Sequence, residues 1–491
     1  MINAFLIAWP LFSVLLILAM GKDRAKWTAL MAAIVQFCVT IYAWTQFVPT
    51  SGVQFGTDME WIPQLGIHFN VGIDGISMLV VLLTNLLAPL IILSSVRKNY
   101  ERPSLFYSLV LIMQAALVGV FTARDMFLYY IFWELALVPI YLIVLIYGAE
   151  NRVKITFKFF VYTMFGSLLM LVGILYLYYL TPAPHNFDIN TLSNLHPDAH
   201  AQGWIFWAFF IAFAIKMPVF PFHTWQPDTY TTAPAQGTML LSGIMLKMGI
   251  YSVIRWILPI VPMGVQDWGK VALVLSLIGI VYGSWIAITQ KDFKRLLAYS
   301  SFAHVGLISA AIFTLTLTGL QGSMIQMFSH GINIVGLFFI AQIIYDRTGT
   351  FQLPNLGGLM KKAPVLAACF LIILLGSVGL PLTDGFVGEF MMLSGTYQAS
   401  PWIAAVAGLT IIFSAVYMFR LYQASMLGEL KPVPSTRDEN FEDVKGSETI
   451  VLVIIAFLVV IIGIYPKPLL DTTEPAITAI LKNIPNVDIW Q

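Results

Sequence analysis

The sequence predicts an all-α polytopic membrane protein of about fourteen transmembrane helices, and three observations carry that prediction. Apolar runs long enough to cross a bilayer follow one another along nearly the whole chain. Of its 491 residues, 59% are hydrophobic and only 10% charged, where soluble domains carry roughly a quarter charged residues. Lys and Arg gather in alternate loops.

A helix needs about 20 apolar residues to cover the hydrocarbon core. Fourteen runs qualify, near 2–20, 27–47, 72–95, 105–122, 125–147, 157–180, 204–221, 233–258, 268–289, 296–318, 321–345, 364–397, 402–427 and 448–465. Runs this long exclude a transmembrane barrel, whose strands are short and alternating. The first run is no cleavable leader, because its basic cluster, Lys22, Arg24 and Lys26, follows the apolar stretch instead of preceding it. That order suits a retained span with its N-terminus outside. On that orientation 18 of the 26 Lys and Arg fall in inward loops, Lys294 and Arg437 among them. Four (Arg124, Lys270, Lys467 and Lys482) fall outside, and four (Lys216, Lys247, Arg255 and Arg420) lie within runs. The positive-inside rule then puts both termini on the outer side.

Several functions drop out. A net charge of +1 gives no sign of a nucleic-acid partner. Cys38 and Cys369 each lie in an apolar run and read as packing residues, with no CxxC, haem or iron–sulfur spacing. Gly264 to Val271, GVQDWGKV, misses a P-loop because valine stands where Ser or Thr is needed, and it follows a helix rather than a strand. No redox centre, nucleotide site or metal site is expected. The outer loop holding His185, His196 and His200 reads as solvated, since no rigid element fixes those side chains, and GELKPVPSTRDENFEDVKG reads as an inner linker before the last span.

Two runs are interrupted: the seventh by Pro218 and Pro221, the twelfth by Gly379, Pro381 and Gly385. Open backbone at membrane depth is tolerated only where it is buried or lines a wet cavity. If runs 4–8 and 9–13 form two five-helix units, both breaks fall on the fourth helix. Five is odd, so the second unit is inverted, and paired breaks of this kind point to an inverted-repeat transporter and its ion path. Proline kinks that only aid packing are the alternative. The chain then divides into a three-helix N-terminal segment (1–104), a first repeat (105–258), its inverted counterpart (268–427), and an inner linker, last span and outer tail (428–491).

Four ionisable side chains sit far from either membrane face: Glu134, Lys216, Lys247 and Glu389. Glu134 lies ten residues beyond Arg124, about 15 Å of helical rise into a core about 30 Å thick. A central Asp, Lys or Arg costs roughly 2.5–3.5 kcal/mol on the insertion scale, so four in one bundle are not incidental. Pairs that only hold helices together are the alternative. Arg255 and Arg420 lie within two turns of a helix end and are expected to snorkel. His304 and His330, on consecutive spans between Lys247 and Glu389, read either as packing residues or, with water, as a proton relay. His223, just past the first break, would connect Lys216 to the inner solution or merely pack. A carboxylate near Lys216 holds the lysine's proton, and removing that influence in a desolvated site releases it. Lys216 is thus the expected loading site, with the helix break as its access to water.

The blocks AFAIKMPVFPFHTWQPDTYTTAPAQGTMLLSGIMLKMGIY and QKDFKRLLAYSSFAHVG closely resemble the antiporter-like subunits of respiratory complex I and the related multi-subunit cation/proton antiporters. The similarity extends over nearly the whole chain. It implies a fourteen-helix fold with inverted repeats, in a subunit of NADH–quinone oxidoreductase that translocates protons driven by quinone reduction elsewhere. By motif match, Glu134, Lys216, Lys247 and Glu389 correspond to the family's ionisable positions on the fifth, seventh, eighth and twelfth helices. Glutamate at 389, together with the absence of a long lateral helix, resembles the M branch, the mitochondrial subunit 4 type. The resemblance further implies that Glu134 receives a coupling signal and modulates Lys216. Protons would then pass through Lys247 and the two histidines to Glu389. NADH, FMN, iron–sulfur clusters and quinone are expected in partner subunits, neighbouring antiporter-like subunits and lipid around the chain, and a bacterial inner membrane as its location. A secondary cation/proton antiporter subunit and a passive structural spacer are the rival readings.

Overall fold

The computed structural model describes residues 2–431 and 441–484; Arg437 and part of the expected inner linker and outer tail lie outside these. Twelve of the fourteen expected runs are single helices long and apolar enough to span a bilayer. These are α1 (Ile2–Met20), α2 (Ala25–Gln46), α3 (Gly75–Ser94), α4 (Pro103–Thr122), α5 (Met126–Tyr147) and α6 (Arg152–Leu180), then α9 (Ala235–Ile260), α10 (Pro262–Thr289), α11 (Phe293–Ile312) and α12 (Leu317–Thr348), and finally α15 (Pro401–Met426) and α16 (Ser447–Ile464). The remaining two runs are the interrupted ones. The first is α7 (Ala199–Lys216), which ends at the break, with α8 (Gln226–Thr232) starting beyond the end of the run; the second is a pair, α13 (Pro364–Val378) and α14 (Asp384–Ala399).

Local chemistry sets the helix ends. Asp74, Asp125, Asp198, Asp292 and Thr316 accept hydrogen bonds from backbone N–H groups in the first turns of α3, α5, α7, α11 and α12, neutralising donors that no helix residue can satisfy. Proline opens α4, α10, α13 and α15, where its missing N–H costs nothing. The linker supplies a cap from a distance. Asp443 takes the Val365 and Leu366 N–H groups at 2.8 and 3.0 Å, so this stretch holds the start of α13 as well as connecting two spans.

In a bilayer the apolar surface faces outward, and burial therefore selects the centre of the bundle. α9 and α12 are buried along their whole apolar windows, whereas only 28% of the corresponding window of α15 is buried. α12 packs on α3, α9 and α14. Gly331 of α12 faces Gly243 of α9, and a Cβ at 331 would sit 2.9 Å from the Gly243 carbonyl. α9 also contains two wide π-helical turns, Leu241–Met245 and Val253–Ile257. At one end of the bundle, strands β1 (Gln54–Ile62) and β2 (Ile67–Ile73) form an antiparallel hairpin with Met59 opposite Phe69. It is tied to the α4–α5 turn by Arg124 N–H to Asn70 O at 2.9 Å. At the other end Glu448 receives Arg347 at 2.7 Å and Arg97 at 3.4 Å.

The sequence reading missed the hairpin, the π turns and α17 (Lys467–Asn483), an amphipathic helix lying on α3 and α12 within the expected tail. Three other expectations need correction. Cys38 is exposed on α2 instead of packed inside. Lys294, counted as a loop charge, is buried in the first turn of α11 and donates to the Ala233 carbonyl at 2.7 Å. Arg255 does not snorkel; it is buried in an ion pair, whereas Arg420 stays exposed and donates to the Ile288 carbonyl.

Replacing Gly331 with valine pushes α9 and α12 apart and is expected to destabilise the chain by about 1–3 kcal/mol, the usual cost of overpacking. A lowered midpoint of thermal unfolding in mild detergent, with Gly331→Ala intermediate, checks it.

Candidate functional site

Most of the candidate residues belong to helices that meet at the buried centre. Lys247 stands midway along α9, fully buried. The π turn before it shifts the Leu246 N–H onto the Leu241 carbonyl, five residues back. Lys247 Nζ donates to the Ser242 carbonyl at 2.7 Å and lies 2.9 Å from His330 Nδ1. The ring of His330 on α12 is 6.1 Å, centroid to centroid, from that of His304 on α11. His304 Nδ1 is in turn 3.4 Å from Glu389 Oε1 on α14. Four of the seven expected residues, from four helices, thus form one line with contacts at both ends. Between the two rings is a small cavity lined also by Ser300, Gln326 and Asn333, with about 10 Å³ for the centre of a water molecule, the room a single water needs.

The first break is built differently. Lys216 is the last residue of α7, buried, and its Nζ has no hydrogen-bond partner. It lies 5.2 Å from the centre of the Trp133 ring, an arrangement that attracts a cation to the ring face. Glu134 is the next residue along α5 after that tryptophan. It is only half-buried, and its Oε1 is orphaned. The opened backbone is closed off by the Trp225 indole N–H, which donates to the Ile215 carbonyl at 2.8 Å, and by the Val219 N–H, which donates to Ala214 O at 2.8 Å. His223 is buried here, stacked on Phe302 with 4.3 Å between ring centres, and its Nδ1 is unpartnered. The structure therefore groups Glu134 with Lys216, and Lys247 with His330, His304 and Glu389. His223 has no hydrogen bond to either group. α7 and α9 do touch beside Gly249, where an added Cβ would meet Phe213 O at 2.7 Å.

At the second break Gly379 has φ +72°, and a Cβ there would occupy the space of the Glu389 carboxylate. Glycine is needed twice over, for the left-handed turn and for the carboxylate. The sequence reading missed the buried partner of Arg255 and one further buried acid. Arg255 Nη2 bonds both oxygens of Asp74, at 2.5 and 2.6 Å, while its Nε donates to the Tyr251 hydroxyl at 3.1 Å. Asp384 is fully buried at the start of α14. Both acids stand at helix starts beside Gly, where a sequence reads as a turn. Among the described residues no three His, Cys, Asp or Glu are grouped to hold a metal ion.

Residues 123–414 match the family described as NADH:quinone oxidoreductase/Mrp antiporter, TM, a stretch that includes all seven candidate residues. The chain belongs to this family. It is 37% identical over 481 residues to NADH-quinone oxidoreductase subunit M of Rickettsia prowazekii (strain Madrid E), covering 96% of this chain and 97% of the relative. To the subunit M of Escherichia coli (strain K12) it is 34% identical over 472 residues, with 93% and 92% covered. A chain of respiratory complex I from Thermus thermophilus with bound NADH superposes with a TM-score of 0.91 at 31% identity, covering 99% and 100% of the two chains. A chain of the Mrp complex from Dietzia sp. DQ12-45-1b shares the fold, with a TM-score of 0.86 at 20% identity over 99% of each chain.

Removing one partner of a buried ion pair strands the other. Asp74→Asn is expected to destabilise the native assembly by about 3–5 kcal/mol, and the double change Asp74→Asn with Arg255→Met by less. Thermal unfolding of the two variants in mild detergent compares them.

Proposed function

We propose that this chain is the M-type antiporter-like membrane subunit of a bacterial NADH–quinone oxidoreductase, and that it moves protons along Glu134, Lys216, Lys247, His330, His304 and Glu389. The observation that carries the reading is the buried line from Lys247 through His330 and His304 to Glu389, which joins a base, two titratable rings and an acid from four different helices. In a medium without water such groups are costly to keep, and their spacing suits stepwise transfer with one bridging water.

The chemistry follows from electrostatics. While Glu134 carries its charge, the ammonium of Lys216 is stabilised and a proton is held there; when that influence is withdrawn, the desolvated lysine gives the proton up. Transfer toward Lys247 adds charge next to His330, which favours onward movement through His304 to Glu389. His223, buried and without a hydrogen bond to Lys216, connects it to the inner solution only through intervening water. The chain itself binds no cofactor; NADH, FMN, iron–sulfur clusters and quinone belong to partner subunits, and neighbouring antiporter-like subunits flank it. Its place is the bacterial inner membrane, with both termini on the periplasmic side and two five-helix units, 105–258 and 268–427, inverted about the row. The rival reading, a subunit of a multi-subunit cation/proton antiporter, draws on the family's description. Identity of 34–37% over nearly the full length of the two subunits M, against 20% for the Mrp chain, favours the first.

On a native gel of mildly solubilised membranes this chain is expected to co-migrate with the band stained for NADH dehydrogenase activity. Migration in a separate assembly lacking that activity would favour the antiporter. In the assembled complex, Lys216→Ala is expected to lower the number of protons moved per NADH oxidised. Normal stoichiometry in that variant would remove Lys216 as the loading site.

A further inference from the structure

Glu389 is not the only carboxyl group at the second break. Asp384, five residues earlier in α14, is 0% exposed. Its Oδ1 accepts a hydrogen bond from Asn333 Nδ2 at 2.9 Å, and the Ser329 hydroxyl donates to its main-chain oxygen at 3.1 Å. Its Oδ2 is buried without any hydrogen-bond partner. None of the ion pairs among the described residues includes it. A buried carboxylate at a helix start, whose side-chain oxygens receive a single side-chain hydrogen bond, from the Asn333 amide, and which has no ion-pair partner, is costly to keep charged. A proton is therefore the natural occupant of the free oxygen.

The position is also held by its neighbours. Gly376 leaves the space, since a Cβ there would lie 2.7 Å from Asn333 Oδ1 and 3.0 Å from Asp384 Oδ1. Asn333 lines the same small cavity as His304 and His330. Its own Oδ1 and the Nε2 atoms of both histidines lack protein partners. Asp384 is thus one hydrogen bond from the cavity that already separates the two rings.

We propose that Asp384 is a second proton-carrying carboxyl group of this chain, exchanging a proton with the cavity shared by His304 and His330 in parallel with Glu389. Asn333 acts as a positioning residue. Its amide keeps the bond to Oδ1 in both protonation states and does not itself pass the proton on. Asp384 does not itself line the cavity, so a second water beside Asn333 completes the path: the proton leaves an imidazolium nitrogen, passes from the cavity water to this second water as hydronium and ends on Asp384 Oδ2. The imidazole is left neutral and the acid uncharged, with no change in electron count.

The inference rests on reading the chain as a proton-translocating subunit, so Lys216→Ala accompanies the test. In the assembled complex, Asp384→Asn keeps the shape and the acceptor for Asn333 but cannot take a proton. Fewer protons moved per NADH is the expected result, together with loss of a protonated-carboxyl band from the infrared difference spectrum; Asp384→Glu restores part of both. Should Asp384→Asn fail to assemble, Asp384→Ser is read in the same way. Normal stoichiometry in the Asp384 variant beside a deficient Lys216→Ala overturns the assignment of Asp384 alone. Normal stoichiometry in both overturns the functional reading and this inference with it. A lowered ratio with the infrared band unchanged makes Asp384 structural and likewise overturns the proposal.

Discussion

The hydrocarbon core offers no water to a buried polar group, and that one constraint organises this molecule. Every backbone or side-chain group taken to membrane depth must find its partner inside the protein. The two broken helices show what this requires. At the first, an indole N–H and backbone N–H groups from beyond the break take up the carbonyls of the last turn of α7, just before Lys216. At the second, Ser329 and Asn333 of α12 hold the start of α14. The breaks are sustained by their surroundings, and each surrounding includes an ionisable residue. The helices that supply those surroundings, α9 and α12, are also the two buried along their whole apolar windows.

Much of the fold was legible because the bilayer imposes a length. Continuous apolar runs mark spans, and prolines and glycines inside them mark interruptions, so both breaks appeared at the expected residues. The candidate site was legible for the same reason, since Lys216, Lys247 and Glu389 are conspicuous inside apolar sequence. What stayed hidden depends on contacts made across the chain. Asp74 and Asp384 each precede a glycine near a helix start and read as turn residues; only tertiary packing shows that Asp74 meets Arg255, 181 residues away. Arg255 read as a snorkelling side chain because distance to the helix end is visible in sequence and a partner is not. Residues 54–73 form a hairpin whose nearby charges, Asp58, Glu60 and His68, gave no apolar signal.

The ion pairs separate into two kinds. Those at the end opposite the hairpin, such as Arg347 and Arg97 with Glu448, join helix ends and loops near solvent, where screening keeps individual pairs weak. Inside, Arg255 and Asp74 form one complete buried pair, whereas Lys216, Glu389 and Asp384 each have at least one buried atom without a hydrogen bond. A protein selected only for stability would not leave groups of this type unsatisfied at its centre.

The π turn at Leu241–Met245 uncouples residue count from angular phase. One extra residue is accommodated in a turn that would otherwise close sooner, so everything downstream on α9 is rotated relative to an ideal helix by about 100°, the angle one residue subtends. A helical wheel drawn through this segment therefore assigns Lys247, Tyr251 and Arg255 to the wrong azimuth relative to residues before Leu241. The orientation of half a transmembrane helix, and with it the meeting of Lys247 and His330, is set by a local dislocation in hydrogen-bond register.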